Sequence, residues 1–224
     1  MSCFGGIPKH GFGFVTESES MKTNLSPKAA PAVQQVLNGL VSLLVTRPRA
    51  ARVRTLLLGS EYLIEVRVPQ PERGRIIGAK GARYHHLEAV ARALAGAEEK
   101  TASVLVLDED TSESALPIPV RTPFSARSAG DSTAIRTVLR TTLRELSGDE
   151  PKVAVHTAGQ CLVVHSILTS EAMAITAPLH DALRNIFDGV GKAHGWRQLR
   201  LSFESAPKKG ATPVNRLAAS LRGR

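Results

Sequence analysis

The chain has 224 residues and contains few aromatic side chains, few cysteines and no long apolar run. Aromatic residues make up only 4% of it, which disfavours folds that stack nucleic-acid bases on aromatic platforms. Two cysteines, Cys3 and Cys161, are too few for a disulfide framework, so we expect a reducing, cytoplasmic location. No apolar run approaches the roughly 20 residues that a membrane helix needs, and we therefore expect no membrane partner.

Acidic residues are missing from two stretches that are rich in cations. Residues 21–54 and 206–224 contain no Asp or Glu, although the whole chain has 20 of them. The cations in these stretches are Lys22, Lys28, Arg47, Arg49, Arg52, Arg54, Lys208, Lys209, Arg216, Arg222 and Arg224. With a formal net charge of +9, this uneven distribution suits a polyanionic partner. The alternative is that the basic segments only keep the protein soluble.

The strongest local signal is the octapeptide Gly74–Gly81, which reads Gly-Arg-Ile-Ile-Gly-Ala-Lys-Gly. Its last four residues, Gly78–Gly81, are called the GxxG loop below. A glycine turn before a helix leaves backbone N–H groups free and places them at the positive end of the helix dipole. Lys80 adds a cation to the loop, and Arg73, Arg75 and Arg83 flank it. We predict a site for a phosphodiester backbone, with an ordinary turn between two helices as the alternative.

Hydrophobic spacing predicts the elements around this loop. Val33, Val36, Leu37 and Leu40 mark a helix that begins near Pro31. Val53–Leu58 and Tyr62–Val68 are predicted strands, the second with alternating apolar residues. Leu87, Val90, Ala91 and Leu94 mark a helix after the loop, and Ala102–Leu107 is a closing strand. The predicted order is helix, strand, strand, helix, helix, strand.

In this setting, the strand Leu63–Val68 and the octapeptide resemble those of a type II KH domain, the arrangement of the small stand-alone bacterial RNA-binding KH proteins. The resemblance covers residues 31–110, about a third of the chain. It implies an α+β fold with a three-stranded sheet and helices on one face. It also implies that the GxxG loop holds the sugar-phosphate of about four nucleotides. The residues that the resemblance implies for binding are Gly78, Ala79, Lys80 and Gly81 for the backbone, Arg73, Arg75 and Arg83 for added charge, and Ile64, Val66, Ile76 and Ile77 for the apolar floor under the bases.

Residues 132–205 repeat the same order of elements, so we predict a second KH-like domain. Aligning Ile77 with Ile175 places Thr176-Ala177-Pro178-Leu179 at the loop position. This tetrapeptide has no glycine pair and no lysine, and its proline offers no N–H to a phosphate. The second domain is therefore predicted to be degenerate. The rest of the chain is predicted to form a disordered leader (1–30), a linker (111–131) and a basic tail (206–224).

Other motifs support no further chemistry. A nucleotide-binding P-loop needs glycine before the lysine and a hydroxyl after it, whereas Ala79 and Gly81 flank Lys80. His85 and His86 are adjacent on a predicted helix and therefore diverge, so we assign no metal and interpret them as a solvated or base-contacting pair. We expect no cofactor and no catalytic residue. The acidic run Asp108–Asp110 is interpreted as a solvated surface. Arg136, Arg140 and Arg144 form either an exposed charged helix face or an auxiliary RNA track, and both interpretations stay open.

Together these patterns predict a non-catalytic protein that binds single-stranded RNA, as an RNA chaperone or a post-transcriptional regulator. Single-stranded DNA remains open as a ligand. The alternatives are a scaffold or ribosome-associated assembly factor that uses KH surfaces to hold a protein, and a subunit of an RNA-processing enzyme. The role of residues 132–205 is left open: they pack on the first domain, form a homodimer, bind a protein partner, or extend the groove through Arg197 and Arg200.

Overall fold

The computed structural model describes residues 31–108, 132–158 and 160–206. We call residues 31–108 the first repeat and residues 132–206 the second repeat. The predicted leader and linker lie outside the described residues, as do the acidic residues after Asp108 and all of the predicted tail except Ala206.

Each repeat has the predicted order of helix, strand, strand, helix, helix, strand. The elements of the first repeat are α1 (Ala32–Leu44), β1 (Arg52–Leu58), β2 (Glu61–Val68), α2 (Gln70–Ile77), α3 (Ala82–Gly96) and β3 (Thr101–Asp108). Those of the second repeat are α4 (Ser132–Ser147), β4 (Lys152–Ala158), β5 (Cys161–Leu168), α5 (Ser170–Thr176), α6 (His180–Ala193) and β6 (Gln198–Ser205). Short 3₁₀ turns join α2 to α3 at Ala79–Gly81 and α5 to α6 at Ala177–Leu179.

The two sheets share one topology. In the first sheet β2 is central, antiparallel to β1 and parallel to β3, with Ile64 facing Thr55 on one side and Val104 on the other. In the second sheet β5 takes the same place between β4 and β6. The fold class α+β, with two mixed three-stranded sheets, is therefore confirmed.

Local sequence explains how these elements begin and turn. The β1–β2 hairpin turns through Gly59 and Ser60, and Gly59 has a φ of 62°, as the first central residue of a tight hairpin turn requires. Pro31 and Pro69 immediately precede α1 and α2, where a missing N–H is harmless. The central strands β2 and β5 alternate strictly between buried and half-buried residues, so each sheet has one covered face.

The helices of the two repeats pack against each other to form one continuous apolar core. Helix α1 contacts α4, and α3 contacts α6, so these two helices of the first repeat pair with their counterparts as in a two-fold symmetric dimer. The α1–α4 contact is close, because a Cβ on Gly39 would lie 3.2 Å from a methyl group of Val138. The buried apolar residues of both repeats belong to one cluster, although the division into two domains itself stays a prediction.

The helical face of the second repeat is used within the chain by this packing. A partner of residues 132–205 would therefore have to bind another surface. In the part of the chain described here, none of the helices is both long and apolar enough to cross a bilayer.

The shared core predicts that a defect in one repeat is felt in the other. Ile64, in the first sheet, is fully buried, so Ile64→Ala should lower the free energy of unfolding by about 2–5 kcal/mol. Trp196 is the single tryptophan and packs on the core in the second repeat. We expect its fluorescence transition in urea to shift together with the circular dichroism of the whole chain. A tryptophan transition that stays in place while the circular dichroism becomes biphasic would contradict the shared core.

Candidate nucleic-acid interface

The GxxG loop has a backbone that depends on both of its glycines. Gly78 has φ 73° and ψ 179°, a region that is essentially restricted to glycine. Lys80 (φ 52°) and Gly81 (φ 78°) follow in the left-handed region. This succession of positive φ values ends α2 and starts α3 within four residues. The two glycines therefore let the chain turn at the surface without a helical connection.

The loop presents backbone N–H groups that have no acceptor in the described part of the chain. Gly78 N–H donates to Gly74 O at 2.9 Å and Gly81 N–H to Gly78 O at 3.3 Å. The N–H groups of Ala79 and Lys80 make no hydrogen bond with a described residue, and both residues are exposed. Two adjacent free amides at the start of a helix form an anion-binding position.

The four cations of the predicted site differ in what their side chains do. Lys80 is exposed and makes no ion pair or hydrogen bond within the described residues. Arg73 pairs with Asp108 across 3.0 Å at the surface, and such an exposed pair is weak enough to be exchanged for a phosphate. Arg75 pairs with Glu72 at 3.2 Å, and Arg83 donates to the Arg75 carbonyl. Lys80 is thus the readily available cation, whereas Arg75 and Arg83 already have partners.

Glu72, the one acid of this segment, is part of the scaffold. Its side chain is buried and accepts hydrogen bonds from the backbone N–H of Thr46, at 3.2 Å, and from the Thr46 hydroxyl. The carboxylate therefore ties α2 to the chain that leaves α1, and it also holds Arg75. Because Arg75 pairs with it, the charge of this carboxylate is offset and opposes a phosphate at the loop less than an unpaired carboxylate would.

The predicted apolar floor needs a correction. Ile64, Val66 and Ile76 are 0%, 1% and 0% exposed, because they lie on the covered face of the first sheet or on the inner side of α2. Residues with no accessible surface do not contact a base, so these three support the loop from within. Ile77, one residue before the loop, is half-buried and keeps apolar surface available.

His85, which the sequence left open as solvated or base-contacting, places an imidazole ring beside the loop. The His85 side chain is exposed and lies over Gly81, where a Cβ would be 3.6 Å from its Nε2 atom. The Tyr84 ring meets it edge to face, with ring centroids 5.4 Å apart. Tyr84 donates to the Val104 carbonyl at 2.8 Å, and burial followed by the charge of Glu88 raises the pKa of its phenol. The sequence signal for His85 was its position four residues after Gly81, one helical turn away.

The second repeat lacks the loop altogether, which corrects the predicted alignment. Buried Glu72 and Ile76 in α2 correspond to buried Ala172 and Thr176 in α5, 100 residues later. Buried Leu87, Val90, Ala91 and Leu94 in α3 correspond to Leu183, Ile186, Phe187 and Val190 in α6, 96 residues later. The difference of four residues falls where the first repeat has its four loop residues. Thr176–Leu179 is therefore not a degenerate GxxG loop, because its residues belong to α5 and the helical turn that continues it.

The helical connection of the second repeat is held by buried polar contacts. The Thr176 hydroxyl donates to Ala172 O at 2.8 Å and therefore accepts from Nε2–H of His180, 3.0 Å away. The His180 ring stacks on Phe203 with centroids 3.8 Å apart. Burial lowers the pKa of His180, and the charge of Arg184 lowers it further, against an opposing effect of Asp181. This part of the second repeat is structural in character.

The arginines of α4 are partly neutralised. Arg140 pairs with Glu150, and Arg144 pairs with Glu145 at 2.7 Å.

Within the described residues, no group of three or more His, Cys, Asp or Glu side chains could hold a metal ion. The geometry therefore favours the GxxG loop as the candidate site.

Comparison with known proteins adds no relative: the chain matches no protein-family model, and no curated protein is similar to it at a significant level.

The loop conformation predicts opposite effects for two neighbouring glycines. Gly78→Ala should cost about 1–3 kcal/mol of unfolding free energy, because a side chain is strained there and its Cβ would lie 3.1 Å from Arg83. Gly74→Ala, in α2 with no atom within 4 Å of the added Cβ, should stabilise by about 0.5–1 kcal/mol. Urea denaturation of both variants measures the difference. Equal effects of the two substitutions would mean that the loop does not hold this conformation.

The lowered pKa of His180 predicts a loss of stability in acid. In the unfolded chain this histidine binds a proton near its ordinary pKa of 6.5, whereas the folded chain binds it only at lower pH. Between the folded-state pKa and the unfolded-state pKa of 6.5, the unfolded chain binds more protons than the folded chain. The stability that His180 contributes above pH 6.5 is therefore lost as the pH falls from 6.5 through the folded-state pKa. His180→Gln should reduce the decline in unfolding free energy between about pH 8 and about pH 5. The wild type and His180→Gln share all other histidines, so a difference between their pH profiles reports on His180. Identical pH profiles would contradict a lowered pKa of this residue.

Proposed function

We propose that this chain is a non-catalytic RNA-binding protein whose first repeat holds single-stranded RNA as a type II KH domain does. The phosphodiester backbone would lie at the GxxG loop. The second repeat, which lacks the loop, would not bind RNA in the same way. As a cellular role we propose an RNA chaperone or a post-transcriptional regulator.

One observation carries the proposal: the loop combines two backbone N–H groups and an ammonium group that have no partner among the described residues. The amides of Ala79 and Lys80 and the side chain of Lys80 come from adjacent residues, and both residues are exposed. A bridging phosphate presents two anionic oxygens, which suit a pair of neighbouring donors and one nearby cation. A purely structural turn would not need an unpaired lysine held at a positive φ.

The fold around the loop supports the same proposal. Type II KH domains are expected to have the order helix, strand, strand, helix, helix, strand, and both repeats follow it. The loop lies between the two helices that follow the central strand. This agreement concerns topology and loop position, and the binding of RNA rests on the loop chemistry described above.

Base contacts in the proposed complex come from accessible side chains beside the loop. Ile77 offers aliphatic surface, and the His85 ring offers a face or a hydrogen bond to a base. Because the predicted apolar floor is buried, only these two side chains would contact the bases, and the bases would be recognised through few contacts. Sequence preference should therefore be modest, with phosphate contacts supplying most of the affinity.

A second candidate function, a scaffold that binds a protein, is favoured by one feature. Leu58 and Leu105 are 59% and 43% exposed on the sheet face that the helices leave uncovered. These two leucines lie on opposite edge strands and offer little apolar surface, and a protein-binding sheet face would not explain the lysine and the free amides of the GxxG loop. The RNA-binding proposal is therefore preferred.

Charge reversal in the loop tests the proposed function. Ala79→Asp together with Lys80→Asp places two anions where the phosphate should lie. We expect this variant to bind a short single-stranded RNA at least about tenfold more weakly, since removing a charged hydrogen bond costs about 1.5–3 kcal/mol. The dependence of log affinity on log salt should also become shallower, by about 0.7 for each phosphate that the protein no longer neutralises. Fluorescence anisotropy over a salt series gives both quantities.

A matched control separates the loop from net charge. Arg92→Asp with Ala93→Asp makes the same change in net charge on the exposed part of α3, about three helical turns from the loop. This control should stay close to the wild-type affinity and slope. Equal weakening of both variants would mean that RNA senses only overall charge, and no RNA binding by the wild type would favour the scaffold. The same titration with single-stranded DNA shows whether the 2′-hydroxyl is recognised.

A further inference from the structure

A stack of close contacts joins the GxxG loop to the second repeat. On its inner side, Gly78 lies against the stem of Arg83, where an added Cβ would be 3.1 Å from both Cβ and Cγ of that arginine. Farther along the same side chain, the guanidinium end of Arg83 lies on Gly189 of α6. A Cβ on Gly189 would be only 2.7 Å from Cδ of Arg83. Arg83 is thus packed between the loop of one repeat and a helix of the other.

Two hydrogen bonds fix this arrangement. Arg83 Nη1 donates to the carbonyl of Arg75 in the last turn of α2, where carbonyls lack a helical partner. Arg75 in turn donates from Nη1 to the carbonyl of Ala193, at the end of α6, at 3.4 Å. That carbonyl lies at the negative end of the α6 dipole, which favours a cation. Both arginines are therefore attached to α6 rather than directed only toward solvent.

We propose that α6 of the second repeat is a brace for the nucleotide-binding loop, with Gly189 seating Arg83 and the Ala193 carbonyl holding Arg75. In this arrangement Arg83 and Arg75 are positioning residues, and Lys80 and the free amides contact the phosphate. This proposal rests on the proposed function, because it assigns to the loop-less repeat a role in RNA binding by the other repeat. It also differs from the sequence expectation that both arginines contact the strand directly.

The brace acts by reducing the ordering that binding requires. When a loop becomes ordered only on binding, each side chain that is immobilised loses entropy, and this loss lowers the affinity. Because Arg83 packs on Gly189, the loop is already ordered in the folded protein before RNA binds. Glycine at position 189 is required because any Cβ there would displace the guanidinium group, while the backbone of α6 itself tolerates alanine well.

The test compares two Gly→Ala variants of the full chain. Gly189→Ala should push Arg83 away, whereas Gly96→Ala, at the exposed end of α3, adds a Cβ with no atom within 4 Å. Affinity for a short single-stranded RNA is measured over a salt series, as for the loop variants. Amide hydrogen exchange of the segment 74–86 is measured without RNA. Arg83→Met, which keeps the stem and removes the charge, provides a variant that does not crowd α6.

The brace predicts a specific set of results. Gly189→Ala should bind about threefold to tenfold more weakly than Gly96→Ala, with an unchanged salt slope, because every phosphate contact is still made. Arg83→Met should show the same weakening and the same unchanged slope. Adding Gly189→Ala to Arg83→Met should weaken binding less than the same substitution weakens the wild type, since the guanidinium group that the added Cβ displaces is already absent. Exchange in segment 74–86 should be faster in both single variants than in the control.

Other results would overturn the brace, and they can be told apart from a failure of the proposed function. A slope that falls by about 0.7 in Arg83→Met would show that this arginine contacts a phosphate itself. Unchanged exchange and affinity in Gly189→Ala would show that α6 does not support the loop. If the wild type binds no RNA, the proposed function fails, and the exchange rates alone still decide whether α6 holds the loop.

Discussion

The structure depends on the need to bury both sides of a helical layer. Each sheet covers one side of its own helices, and helices of the two repeats cover each other on a second side. The chain meets this need by packing α1 on α4 and α3 on α6. Close approach requires small residues, which is why Gly39 faces Val138 and Gly189 faces Arg83. This helix-on-helix contact joins the apolar residues of both repeats in one core.

This packing gives the two repeats different tasks. In the first repeat four additional residues interrupt the helical connection and leave two amides and a lysine unpaired at the surface within the described part of the chain. In the second repeat the corresponding connection is a continuous helical turn, closed by Thr176 and by His180 stacked on Phe203. Because α6 runs beside the start of α3, the repeat without a loop lies directly behind the loop of the other. The proposed binding site thus draws on both repeats, although its phosphate contacts belong to one.

Several parts of the candidate site could be predicted from the sequence because they depend on local chemistry. Gly78 and Gly81 indicated a backbone turn, and their positive φ values agree with it. The alternation in β2 predicted which residues share a face, but not that the face of Ile64 and Val66 would be sealed by helices. The sequence left His85 open as solvated or base-contacting, because spacing alone does not show its ring lying over Gly81. The four-residue gap escaped notice because it requires the buried positions of both repeats to be matched.

By itself, the sequence determined the order of elements, the α+β class and the place of a glycine turn that carries a lysine. These properties depend on hydrophobic period and backbone sterics, which act over a few neighbouring residues. Only the tertiary structure decided that Ile76 lies inside and that Arg75 and Arg83 are attached to α6. The two arginine contacts join residues more than a hundred positions apart, Arg83 with Gly189 and Arg75 with Ala193. No local pattern encodes such a contact, because it exists only once two separately patterned surfaces have packed together.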